Sequence, residues 1–195
     1  MAAREDPVVG ARERILSAAY ELFTRRGIRD VGIDEVISRA AIAKATLYRH
    51  FRTKDDLVLA VLERREKLWT FGFIEKQSHL RGATPEQRLL AIFDVFDEWF
   101  TTEGFDTCTF VNVLLEMGAD HPTGIASIGH LATIRDMVRS RAEEAGLHDP
   151  DDFARSWHIL MKGSIVAAAE GDRLAARRAL EMGEALIARF RVPTC

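Results

Sequence analysis

Apolar positions recur at helical spacing along almost the whole chain. Ile15, Ala19, Leu22 and Phe23 form one stripe, and Gly27 follows two arginines as a stop signal. Ile33, Val36, Ile37 and Ala40 make a second, shorter stripe. A third helix is expected from about Lys44 to Phe51, with Leu47 and Phe51 turned inward. Thr53 and Asp56 have the spacing of a capping box. They open a long helix through Leu57, Val61 and Leu68 to near His79, with Gly72 as a bend.

Caps and stops mark the remainder. Thr84-Pro85-Glu86-Gln87 combines an N-cap, a first-turn proline and a capping glutamine, and predicts a helix to about Thr101. Asp106 is expected to open the next, ending near Gly118. His121-Pro122 starts a longer one closed by Gly146, and Asp149-Pro150 starts another that ends at Gly171. Asp172 caps the last, and Pro193 ends it. Phe110–Leu115 is too short a run for periodicity to assign. No segment alternates with period two, and no internal repeat or low-complexity tract occurs. The pattern predicts an all-α protein of about nine helices. Its domains are expected over residues 1–53, a helix-turn-helix unit, and 54–195, a larger helical unit.

Composition narrows the class. The 195 residues hold 27 Lys+Arg and 30 Asp+Glu, a net charge of −3. No run is long and apolar enough to span a membrane, and Met1–Gly10 has no apolar segment of the secretory type. A cytoplasmic protein is expected, with Cys108 and Cys195 as reduced thiols at no metal-ligand spacing. Residues 1–60 carry 11 cations and 9 carboxylates. Val36–Lys54 contains Arg39, Lys44, Arg49, Arg52 and Lys54 and no carboxylate. Such a stretch on an acidic chain suits docking to a polyanion, although a solvated helix face has the same look.

The residues around these cations decide. Asp34 to Phe51 reads as helix, small-residue corner (Ala40-Ala41-Ile42-Ala43) and second helix, the arrangement that sets a recognition helix in the DNA major groove. Lys44, Ala45, Thr46, Tyr48, Arg49 and His50 face outward from that second helix. The stretch GIDEVISRAAIAKATLYRHFRTKDDL, Gly32–Leu57, resembles the DNA-binding signature of TetR-family transcriptional regulators, most sharply in KATLYRHF followed by Lys54. The resemblance implies a three-helix DNA-binding domain, a long fourth helix and a ligand-binding, dimer-forming domain. It also implies repression relieved by a small molecule. Lys44, Thr46, Tyr48, His50 and Lys54 match the family's phosphate-contacting positions, while Ala45 and Arg49 lie where base edges or nearby backbone are approached. The sequence departs from the family at Ala41, where glycine is usual and a left-handed turn would be mildly strained. It departs again at Ala43, where a serine cap is frequent.

The last two helices, joined by Gly171-Asp172, form an antiparallel hairpin with more apolar residues than one narrow stripe needs. Trp157, Ile165, Ala168, Leu180 and Ile187 are assigned here to a homodimer interface. Phe73, Phe96, Phe100, Phe110, Met117 and Met161 are assigned to a chamber for a small hydrophobic effector, the alternative being that they only fill the core. The partners expected are double-stranded operator DNA, that effector and a second copy of the chain, with no membrane, metal or cofactor. The readings from other classes are a helical small-molecule-binding protein or adaptor, and an enzyme. No HExxH, GxSxG or phosphate-cradling glycine loop is present, and Glu116, His121 and His158 would have to converge to make a metal or acid/base site. Cys108 has no cation near it in sequence and is expected to be an inert thiol.

Overall fold

The computed structural model describes residues 10–191, so Cys195 and Pro193 lie outside the described residues, as does the N-terminal stretch before Gly10. Three short helices form a head: α1 (Ala11–Arg26), α2 (Ile33–Ala40) and α3 (Lys44–His50). Helix α1 ends where Gly27, at φ +82°, donates its N–H to the Phe23 carbonyl. Helix α2 ends in a Schellman motif. The amides of Ala41 and Ile42 close onto the Ser38 and Ile37 carbonyls at 3.1 and 3.3 Å. The residue that must turn left-handed there is Ala41, at φ 51° and ψ 54°. Ala43 precedes α3 in an extended conformation and provides no side-chain cap.

The head is closed from below by α4 (Lys54–Arg65), which starts at a full capping box: Asp56 N–H donates to Thr53 Oγ1 (3.0 Å) and Thr53 N–H to Asp56 Oδ2 (2.9 Å). Leu57, Val58 and Val61 of α4 are buried in one core with Ile15, Val36 and Leu47 of the head. The same rod continues through a π-helical segment, Glu66–Glu75, and α5 (Lys76–Arg81). Gly72, where a bend is expected, lies inside this widened segment.

Helices α6 (Pro85–Phe100), α7 (Thr109–Met117), α8 (Pro122–Glu144), α9 (Pro150–Ala169) and α10 (Ala175–Phe190) complete the body. Counting α4 to α5 as one rod, the described residues form nine helical rods, and Phe110–Leu115 is helical. Helix α7 starts at Thr109 and not at Asp106, whose carboxylate instead accepts the Tyr20 hydroxyl. Arg141 of α8 is buried and holds the far end of the rod. Its guanidinium donates to Ser78 Oγ (2.8 Å), the Arg88 carbonyl (3.0 Å) and the Glu75 carbonyl (3.2 Å). No helix of the described residues is long and apolar enough to cross a membrane.

The terminal hairpin buries part of the expected interface set within the chain. Trp157 is wholly buried by its own chain, its ring 5.1 Å from Phe93 and 5.3 Å from Phe153. A Cβ at Gly183 would stand 2.9 Å from the Trp157 ring, so this glycine is what lets α10 seat against α9. Ile187 and Ile165 are also buried within the chain. Leu180 and Ala168 are half-buried. The apolar residues that α9 and α10 turn outward are Ile159 (70% exposed), Val166 (54%) and Met182 (57%), with Gly163 exposed between the first two.

Candidate DNA interface and effector cavity

Helix α3 presents a working face because a single side chain anchors it. Leu47 is fully buried, Thr46 is half-buried, and Lys44, Ala45, Tyr48, Arg49 and His50 are exposed. Phe51 behind the helix is buried, with the Arg12 guanidinium 5.5 Å from its ring centroid. Within the face, Lys44 Nζ lies 3.0 Å from Asp34 Oδ1, and Arg49 Nη2 donates to Thr46 Oγ1 at 3.4 Å. The Asp34 carboxylate holds the Lys44 ammonium above the usual lysine range. Both bonds are solvent-exposed, the kind that contributes little to stability and gives way when a phosphate offers a better partner. Lys54 stands at the first turn of α4, held by the Thr53–Asp56 box. Together these side chains make one polar, cation-bearing surface on a short helix. It can donate to phosphates through lysine, tyrosine and histidine, and to base edges through arginine.

The head is clipped to the body at two points. Glu116 of α7 accepts the backbone N–H groups of Ile28 (2.9 Å) and Arg29 (2.6 Å) in the α1–α2 loop. Its carboxylate would lie 3.1 Å from a Cβ at Gly27, so that position takes glycine for space as well as for φ. The second clip is the hydrogen bond from the Tyr20 hydroxyl of α1 to Asp106, in the α6–α7 loop. Burial, with the Asp106 bond adding to it, pushes the Tyr20 phenol up to about 12, so it remains a donor. Arg65 packs its guanidinium against Tyr20 (5.3 Å) and Trp69 (4.2 Å) and lies 3.9 Å from Asp106.

Arg65 also lines a cavity between the rod and helices α6 to α9. Phe96, Phe110 and Met161 of the six expected residues form part of its wall. Phe73, Phe100 and Met117 do not. Phe73 stacks on Trp69 at 4.6 Å, Phe100 belongs to an aromatic cluster with Phe96, Trp99 and Phe105, and Met117 packs on the core. Ile165, assigned to the dimer interface, is a cavity residue. Trp69, Trp99, His158 and Lys162 complete most of the lining. The cavity measures about 30 Å³, space for about two water molecules.

Burial governs the chemistry of this wall. It lowers His158 to about 3, with Lys162 and Arg135 acting in the same direction, so the ring is neutral at pH 7. It raises the Cys108 thiol, which outweighs the opposing pull of Arg65 and Lys162. The cations missing around Cys108 in sequence are therefore present in space, and the thiol is still un-ionised. Glu116, His121 and His158 do not converge. Glu116 caps the head loop, His121 caps α8 through the Thr123 N–H, and His158 faces the cavity. Among the described residues no group of His, Cys, Asp and Glu is placed to hold a metal ion.

Comparison with known proteins agrees with this geometry. The family model described as bacterial regulatory proteins, tetR family, matches residues 15–61, the head and the start of the rod. The transcriptional regulator AcuR of Cereibacter sphaeroides is 30% identical over 168 residues, spanning 81% of this chain and 76% of that one. The HTH-type transcriptional activator FasR of Mycolicibacterium smegmatis is 40% identical over 86 residues, 44% of this chain and 38% of its own. Among solved structures, the TetR-family regulator SCO4454 of Streptomyces coelicolor superposes with a TM-score of 0.84 at 27% identity. That match covers 92% of this chain and 95% of the other.

Proposed function

The chain belongs to the TetR family of transcriptional regulators, and on that premise we propose that it is a homodimeric operator-binding repressor, released when a small molecule occupies the cavity. The observation that carries the reading is a single connected assembly: an exposed reading helix on a head whose Tyr20–Asp106 clip meets Arg65, a wall residue of the cavity. Lys44, Thr46, Tyr48, His50 and Lys54 fix the head on phosphates, and Ala45 and Arg49 approach the bases. The work is done where the DNA is, in the cytoplasm.

A dimer supplies the second reading head. Two recognition helices on one side of the duplex sit about one helical turn apart, ~34–36 Å, or a multiple of it. Ile159, Gly163 and Val166 of α9 with Met182 of α10 form the outward apolar strip that a two-fold contact would cover. Trp157 and Ile187 support that strip from within. Release requires that the ligand prefer the form with the wrong head spacing. A 100-fold loss of operator affinity needs about 2.7 kcal/mol of such preference.

The test is fluorescence anisotropy on a duplex that the protein selects from random-sequence DNA, beside a scrambled duplex, across a salt series. A steep salt slope with preference for the selected duplex is expected. Tyr48→Ala should weaken binding to both duplexes while leaving the thermal transition in place. Equal affinity for both duplexes at every salt concentration would sink the regulator reading.

A further inference from the structure

The stretch from Val36 to Lys54 contains no carboxylate, yet the fold brings one to its reading helix. Other acids of the head are engaged elsewhere: Glu21 with Arg39, Glu35 with Arg26, and Asp56 in the capping box of α4. Asp34, in the first turn of α2, lies 3.0 Å from the Lys44 ammonium at the start of α3. Among the described residues this is the one ion pair that α3 makes. Arg49, the other strongly basic residue of the helix, has the neutral Thr46 hydroxyl as its partner. The Tyr48 phenol is close enough to act on the same Lys44 ammonium. The Asp34 carboxylate therefore stands among side chains proposed to meet phosphate. The Asp34 side chain is 81% exposed and that of Lys44 62%, so the pair contributes little to the fold. Its effect is on charge. A lysine already paired offers a polyanion no net charge, and the carboxylate beside it repels the phosphate that would replace it.

We infer that Asp34 is an autoinhibitory carboxylate of the DNA interface, which occupies Lys44 in the free protein as a phosphate oxygen would and must yield it when DNA docks. This deepens the reading of α3 as the DNA-contacting helix and rests on it. The opposition falls on every duplex alike, because phosphates carry no sequence information. Asp34 thus sets how tightly the head holds DNA, and leaves the choice of sequence to the residues that approach the bases. A weaker hold on all duplexes has a use in a protein that must let go. The same effector preference then empties more of the operator at a given protein concentration.

The test is a double-variant cycle on the whole chain: wild type, Asp34→Asn, Lys44→Ala and the two together. Anisotropy on the selected and the scrambled duplex, across a salt series, reads affinity, and circular dichroism checks the fold. Asp34→Asn should bind both duplexes about fivefold tighter at low salt, with a salt slope steeper by about 1 and an unchanged spectrum. In the Lys44→Ala background the same substitution should gain about twofold or less, from relief of repulsion alone. An Asp34→Asn protein that binds no tighter than wild type overturns the inference. One that binds more weakly also overturns it, and makes Asp34 a residue that positions Lys44 for DNA. Equal gains in both backgrounds would show a carboxylate that repels DNA without holding Lys44, which overturns it as well. Preference for the selected duplex with no effect of Asp34→Asn removes the inference and leaves the regulator standing. Equal affinity for both duplexes at every salt concentration removes the regulator, while the ratio of variant to wild type on either duplex still decides on Asp34. A chain that binds neither duplex, with Asp34 or with Asn in its place, removes both.

Discussion

The reading helix and the cavity are built on opposite plans. Helix α3 works through exposed side chains and is held by one buried leucine, Leu47, with Phe51 behind it. The cavity works through side chains drawn from residue 65 to residue 165, brought together from the rod and from helices α6 to α9. The first arrangement is easy to disable at a point, because its exposed residues are neighbours in sequence and share one anchor. The second keeps polar groups where water cannot serve them, so its chemistry is set by burial and its faults appear as instability.

The sharpest way to break the contrast is at the anchor. Leu47→Ala should cost about 3 kcal/mol in urea unfolding and abolish operator binding, although every exposed residue of α3 is retained. A protein that unfolds like wild type would show that α3 is held by something other than this leucine.

His158 probes the buried side. Its pKa falls from 6.5 in the unfolded chain to about 3 in the fold, so between those values the unfolded chain binds the proton and the fold does not. The stability that depends on the neutral ring is complete above about pH 6.5 and is lost as pH falls toward 3. Moving from about pH 7.5 to 5.5 should therefore remove about 1 kcal/mol through this group. In His158→Gln that part of the pH dependence should vanish. An identical slope in the variant would place the ring in a wetter setting than this cavity.

Two smaller effects sharpen the exposed side. Lys54→Ala should weaken all duplexes alike and reduce the salt slope by about 1, as expected for one phosphate contact, and a selective loss on one sequence would assign it to base reading instead. Ala41→Gly should raise unfolding stability by up to about 1 kcal/mol, since it relieves a left-handed alanine. Measurable destabilisation would mean that flexibility gained by the unfolded chain outweighs that relief.

The same contrast governs what could be read before folding. The rods, their caps at Thr53 and Thr84 and the left-handed turn at Ala41 all follow from local patterns, and the structure has them at those places. The seven residues of α3 and the Phe51 that follows are consecutive, so their motif survives as a string. Trp157 and Ile187 were legible as apolar stripe residues, but a stripe looks the same whether it packs on the chain's own α6 or on a second copy. Nothing local marks Arg65 as the cation of its stretch that will line the cavity. Asp106 carried the signal of a helix cap, yet its partner Tyr20 lies 86 residues away. Glu116 stood out only as a possible acid or metal ligand. Its task of capping two amides of the head loop depends on a contact that no spacing encodes.

The π-helical segment has a consequence for how such a chain can change over generations. Hydrogen bonds from i to i+5 take in more residues per turn than α-helical ones, so Glu66–Glu75 stores surplus chain inside a continuous rod. Insertions and deletions are ordinarily confined to surface loops. Here a residue could be lost between Glu66 and Glu75 and the stretch could wind back toward α-helix, with Lys54 still beneath the head and Arg81 still at the far end. Chamber size and the stagger of head over body would then drift through chain length alone, with no change to the residues proposed to read DNA.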